Sequence, residues 1–258
     1  MRKWNLHRFR IALLAALIAG LLLMIVLVTR QNEVSAGRPL GGNVNGTIKL
    51  DGTPPHQRPI DMSKEPSCAA QHKDHPITGE SVVGGPDGGL ANVVVYVSEG
   101  WVSGDSPGSN ALALEPVLNQ RGCQYQPHVL GLNVNQRFKV TNSDQTLHNV
   151  HAIPKPGSAN PEWNKSQTPG APPIEDSWPA EEVAIHVKCN IHPWMSGYMV
   201  VVKGPYGISD EKGNYKIKGL APGNYTLTAW QEAYGAQTQK ITVPAGKSAI
   251  ANFTFKTK

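Results

Sequence analysis

Apolar and polar residues alternate with a period of two through much of this chain. In EEVAIHVKC, Val183, Ile185, Val187 and Cys189 fall on one face while Ala184, His186 and Lys188 fall on the other, as in a strand with one side turned to a core. The spacing predicts Cys189 inside and His186 on the surface. Comparable runs are VNGTIKLDG, LANVVVYV, TLHNVHAI and GYMVVVK, and VLGLNVNQRFKVTNSD holds two strand patterns around an Asn-Gln turn. A long Pro-rich loop is predicted over 154–179. Beyond residue 204, strands alternate with the turns Glu211-Lys212-Gly213-Asn214, Ala221-Pro222-Gly223-Asn224 and Pro244-Ala245-Gly246-Lys247, which reads as a separate small β-sandwich. No long stretch repeats apolar residues at helical spacing, so the predicted fold class is all-β.

The exception lies at the start, where Ile11 to Val28 form an uncharged run of 18 residues, just long enough to span a bilayer. Arg2, Lys3, Arg8 and Arg10 precede it and set the N-terminus in the cytoplasm. The expectation is one N-terminal transmembrane helix, a single-pass anchor in the inner membrane, with the C-terminal portion facing the periplasm or the extracellular side. A cleavable signal segment ending at Val34-Ser35-Ala36 is the competing reading. The apolar run is longer than a usual signal core, which favours the anchor.

Charge changes meaning once that flank is set aside. The net charge is +5, but residues 1–36 hold five basic residues and one acidic one, leaving 19 basic and 18 acidic residues in the remainder. The exported part is nearly neutral, so no nucleic-acid surface is expected.

Three cysteines, Cys68, Cys123 and Cys189, fall in this exported part, where disulfides persist. An odd count leaves one over. The economical division pairs Cys68 with Cys123 and keeps Cys189 as a functional thiolate, since Cys189 opens the stretch CNIHPWMSGYM, with His192, Met195 and Met199 close behind. Thiolate, imidazole and thioether together are soft-metal ligands. Taken alone, a Cys-x-x-His spacing is a weak signal, and its bland reading is a buried thiol followed by a turn histidine. A copper site of the His₂Cys type needs a second imidazole, and TLHNVHAI supplies His148, separated from Cys189 by 40 residues, 149–188. His151 falls on the opposite face of the same strand, and Met199 suits packing in the strand that follows.

NSDQTLHNVHAI together with CNIHPWMSGYMVVV resembles the cupredoxins, the type 1 blue-copper proteins, over roughly residues 111–203. The resemblance implies a Greek-key β-sandwich, one copper ion, His148, Cys189 and His192 as equatorial ligands and Met195 as the axial ligand. It further implies that Asn149 hydrogen-bonds between the ligand loops, that Pro193 stiffens the loop, that Trp194 covers the site, and that the ring edge of His192 is exposed as the electron exit. SDEKGNYKIKGLAPGNYTLTAW resembles the carboxypeptidase-regulatory-like, transthyretin-like sandwich domains. The predicted organisation is 1–36 for the basic flank, membrane segment and linker, 37–203 for the copper domain, and 204–258 for the second sandwich. Two homes stay open for residues 43–97, in the copper domain or completing the C-terminal sandwich.

The function this implies is one-electron transfer by a membrane-tethered, exported blue-copper protein, with redox proteins of a respiratory or periplasmic electron-transfer chain as partners. No Ser/His/Asp arrangement, His-Glu-x-x-His motif or Gly-rich phosphate loop is present, so enzyme activity is not expected. The alternatives are a periplasmic copper-binding or copper-delivery protein without a redox role, and a metal-free interaction protein of the cell envelope.

Overall fold

The computed structural model describes residues 41–102 and 115–257. The apolar run Ile11–Val28 and the competing cleavage site lie outside them. Among the described residues no helix is long and apolar enough to cross a membrane.

The described chain is all-β, with 17 strands and one short α-helix, α1 (Pro66–Gln71), among the described residues. Four sheets make two sandwiches. In the first, β1 (Gly42–Asp51) lies beside β13 (Asn214–Leu220), β16 (Ser248–Ile250) and β17 (Phe253–Lys256). Its facing sheet runs β12 (Tyr206–Ile208), β2 (Val94–Glu99), β14 (Gly223–Gln231), β15 (Gly235–Val243). Alternate residues of both sheets close one core, including Val44, Ile48, Val95, Val97, Ile217, Leu227, Phe253 and Phe255. The pairing settles where the early strands go. Thr47 stands opposite Asn214, Ile48 opposite Phe253 and Val97 opposite Leu227, so β1 and β2 lie in the sheets of the C-terminal strands.

The second sandwich is made by chain between β2 and β12. One sheet runs β4 (Gln124–Gln126), β3 (Val117–Arg121), β6 (Arg137–Asn142), β9 (Ile174–Ser177), and the other runs β5 (Val129–Asn133), β11 (Ser196–Val202), β10 (Glu182–Lys188), β7 (His148–Ile153), β8 (Trp163–Gln167). Leu118, Phe138 and Val140 from one sheet meet Leu132, Val150, Ile185 and Val187 from the other. Met62 and Cys68, from the segment between β1 and β2, join this second core, and Cys68 is bonded to Cys123. That segment therefore reaches from the first sandwich onto the second.

Consecutive valines mark where the sandwiches meet. Val95 and Val97 of β2 face the first core, and Met199 and Val201 of β11 face the second. Val94, Val200 and Val202 form a third cluster with Val129 and Tyr206. A strand buried on both faces needs an unbroken apolar run instead of alternation, which accounts for NVVVYV and YMVVV. The Tyr206 hydroxyl donates to the Gly131 carbonyl at 2.6 Å across this interface.

Two expectations are corrected. The predicted loop over 154–179 contains β8 and β9, which were hidden because the burial in both strands is slight and their residues are mostly polar. The two strands expected in VLGLNVNQRFKVTNSD are present around the turn at Asn135; β5 pairs with β11 while β6 pairs with β3 and β9, so that turn carries the chain between sheets. In β10 the register shifts between Glu182 and Ile185, with Ala184 at φ +72°. This bulge turns Val183 away from Ile185 and Val187 and onto the inter-sandwich cluster, as an extra residue does in a strand.

Candidate metal centre

Two strand ends build the centre. His148 opens β7, and Cys189 follows the last residue of β10. The chain from Cys189 to β11 is a tight loop, because Met195 N–H donates to the His192 carbonyl at 2.9 Å and Cys189 N–H donates to the Met195 carbonyl at 3.1 Å. Asn149 ties the strand to the loop. Its Oδ1 accepts the Asn190 N–H at 2.8 Å and lies 3.3 Å from Cys189 Sγ, while its Nδ2 donates to Asn164 Oδ1 at 2.7 Å. Two segments distant in sequence are thus held in register at the sulfur.

The side chains converge. His148 Nδ1 lies 2.9 Å from His192 Nδ1, and His192 Nδ1 lies 3.8 Å from Cys189 Sγ. One ligand atom from each of His148, Cys189 and His192 lies within 4.8 Å of the others, and all three residues are buried. Cys123, Asp144 and His148 also cluster, but Cys123 is committed to its disulfide. Met195 is buried in the same core as Cys189. Of the two rival ligands, Met199 is engaged elsewhere, its sulfur accepting Trp178 Nε1 at 3.2 Å. His151 lies outside the cluster, with Nε2 2.7 Å from Glu162 Oε1. His186, predicted at the surface, is half-buried and lies 2.9 Å from Ser196 Oγ.

Each histidine has a carboxylate behind its outer nitrogen. His148 Nε2 lies 2.9 Å from Asp144 Oδ2, and the Asp144 carboxylate also accepts the Gly122 and Cys123 N–H groups, both at 2.8 Å. That contact suits a proton on His148 Nε2, the tautomer whose Nδ1 lone pair faces inward, as a metal ligand requires. His192 Nε2 lies 3.6 Å from Glu65 Oε2, on the residue before α1. The expected exposed ring edge is corrected here: the His192 side chain is only 1% exposed. The segment carrying Glu65, fastened by Cys68–Cys123, reaches the loop that sequence placed at the surface. Trp194 is half-buried, with Nε1 donating to the Cys123 carbonyl at 3.1 Å and its ring 5.3 Å from that of His192; Pro193 is exposed.

The electrostatics suit a thiolate. Burial opposes charge on Cys189, but His148 and neighbouring backbone N–H groups outweigh it and hold the thiol below its usual range. Burial likewise opposes a charged His148, and the Asp144 carboxylate and Cys189 sulfur outweigh it, so its pKa is raised. Burial first and the charge of His148 second lower that of His192. A soft sulfur whose thiol is held below its usual range, beside two inward-facing imidazole nitrogens and closed off from solvent, fits copper. Asp144, Asn164 and Glu65 were not found from the sequence. Asp144 had a usable signal, four residues before His148 in NSDQTLH, and Glu65 had none.

Residues 196–256 match the family model of the carboxypeptidase regulatory-like domain. The match begins in β11 and omits β1 and β2, which complete the same sheets. No curated protein matches. The solved structures similar to this chain include cupredoxins. A purple cupredoxin from Nitrosopumilus maritimus is 21% identical, with 34% of this chain and 99% of that chain covered and a TM-score of 0.29. A reduced Cu(I) form of an amicyanin mutant is 19% identical, with 42% and 97% covered and a TM-score of 0.30. A Cu-containing nitrite reductase from Thermus scotoductus SA-01 is 18% identical at a TM-score of 0.31, over 34% of this chain and 22% of that one, so this chain spans about a fifth of its length.

Proposed function

We propose that this chain is an exported copper protein of the type 1 class that carries single electrons between partner proteins while tethered to the inner membrane by residues 11–28. The observation that carries the reading is the convergence of His148, Cys189 and His192 within 4.8 Å in a buried site. Met195, buried in the same core, would be the fourth residue to hold the ion. Copper held there would supply a one-electron couple between Cu(II) and Cu(I).

What the protein contributes is a shell that stays put when the charge changes. Asn149 and the two loop hydrogen bonds fix the sulfur, Asp144 fixes the His148 ring, and burial keeps water away. The same burial argues against a delivery role, which needs an accessible site that can give up its ion. Exposed Leu147 and Ile191, next to His148 and His192 in sequence, offer a redox partner an apolar contact. The disulfide between Cys68 and Cys123 suits an oxidising compartment outside the cytoplasm, where the tether would leave residues 37–258, on the periplasmic or extracellular side.

A redox titration tests the reading. Copper-loaded protein, cycled with one-electron mediators, should take up and release one electron per chain and keep its metal. Loss of the copper on reduction would favour delivery and end the electron-carrier reading.

A further inference from the structure

The outer nitrogen of His192 is buried without a hydrogen-bond partner, although the corresponding nitrogen of His148 is bonded to Asp144. The acidic group facing it is Glu65, at 3.6 Å, whose side chain is 36% exposed. Glu65 belongs to neither sheet of the sandwich that carries the centre. Its position is nevertheless fixed through its backbone. Glu65 N–H donates to the carbonyl of buried Met62 at 2.9 Å, and the Glu65 carbonyl accepts the N–H groups of Cys68 and Ala69 at 3.0 and 2.9 Å. Cys68 is bonded in turn to Cys123, whose N–H donates to Asp144 and whose carbonyl accepts Trp194. One fixture thus connects the groups behind both imidazoles.

We propose that Glu65 is a positioning residue for electron transfer, holding a negative charge behind His192 and thereby favouring the oxidised ion. The inference rests on the copper reading above. With Nδ1 committed to the metal, Nε2 must carry the proton, and a carboxylate facing that N–H makes the imidazole a stronger donor. A negative charge close to the site also favours Cu(II) over Cu(I), which has one positive charge fewer. Reduction adds one electron from the partner protein, and no bond to Glu65 forms or breaks. The 3.6 Å separation is within the reach of a small rotation of a long, half-exposed side chain.

The test is the midpoint potential of the copper-loaded full chain, in the wild type and in Glu65→Gln, which keeps the shape and removes the charge. Glu65→Gln should move to a more positive potential, so that at the wild-type midpoint the reduced form predominates several-fold; a tenfold excess corresponds to about 59 mV for one electron. Glu65→Asp should restore part of the difference. Replacing both Cys68 and Cys123 by serine should shift the potential in the same direction, by releasing α1. Glu162→Gln, which removes an exposed carboxylate beside His151, should leave it unchanged. An intact visible band with an unmoved potential in Glu65→Gln overturns the inference and leaves the copper reading standing. An equal shift in Glu162→Gln overturns it too, because the effect would then be one of net charge. If the wild type forms no Cu(II)–thiolate band, the copper reading itself fails and the inference goes with it.

Discussion

Asp144 shows how much one side chain can hold at this centre. It is 4% exposed, accepts two backbone N–H groups and lies against His148 Nε2. Removing it leaves two backbone N–H groups and an imidazole N–H without their acceptor, and a buried donor left unsatisfied costs about 1–3 kcal/mol. Asp144→Ala should lower the unfolding free energy of the metal-free protein by about 1–3 kcal/mol or more in urea titrations, and a loss below about 1 kcal/mol would show that the contacts are not maintained in solution. Asn149 has a different duty. Its Oδ1 joins β7 to the Cys189 loop, so Asn149→Ala should weaken copper retention more than it weakens the fold, as loss of an outer-shell partner does by about 10–100-fold in affinity. Competition with a copper chelator reads this, and unchanged retention would contradict it.

At the level of elements, the centre was legible because its residues lie at strand ends in two short, separately readable motifs. HNVHAI and CNIHPWM reveal their contents locally, and period-two alternation places Cys189 inside. What alternation could not reveal is anything decided by pairing between distant strands. The homes of β1 and β2 depend on partners more than a hundred residues away, at Asn214 and Leu227. β8 and β9 carry few apolar residues and were masked as loop, and the bulge at Ala184 moved Val183 by breaking the very period used to place it. The burial of His192 was invisible for the same reason, since its cover comes from chain near Glu65. The disulfide that fastens that cover closes a sequence separation of 55 residues, a loop long enough for chain entropy alone to contribute roughly 4 kcal/mol. The Cys68→Ser, Cys123→Ser double variant should be less stable than the oxidised wild type by up to that amount in thermal or urea unfolding, and equal stability would show that the cover is not a structural staple.

Across the whole molecule, the two sandwiches meet through Val94, Val129, Val200, Val202 and Tyr206, and a buried histidine joins them as well. His128, between β4 and β5, has Nε2 2.6 Å from Glu232 in the turn between β14 and β15, and Nδ1 3.8 Å from Glu80 in the segment between β1 and β2. Burial works against its charge, but Glu232 and then Glu80 outweigh it, and its pKa is raised. A histidine raised above its unfolded value of about 6.5 contributes stability that is fully present below that pH and is lost as pH rises through the folded value. The stability advantage of wild type over His128→Gln should therefore be largest under mildly acidic conditions and shrink as the solution becomes alkaline; an advantage that grows with pH would contradict the ion pair. The architecture, a centre made by chain lying between strands of a second sandwich, rests its functional meaning on the metal. The visible spectrum of the purified protein loaded with Cu(II), beside that of Cys189→Ser, tests this most directly. An intense thiolate-to-copper band at roughly 600 nm in the wild type, absent from the variant, is the expected result, and a wild-type protein that binds Cu(II) without that band would contradict it.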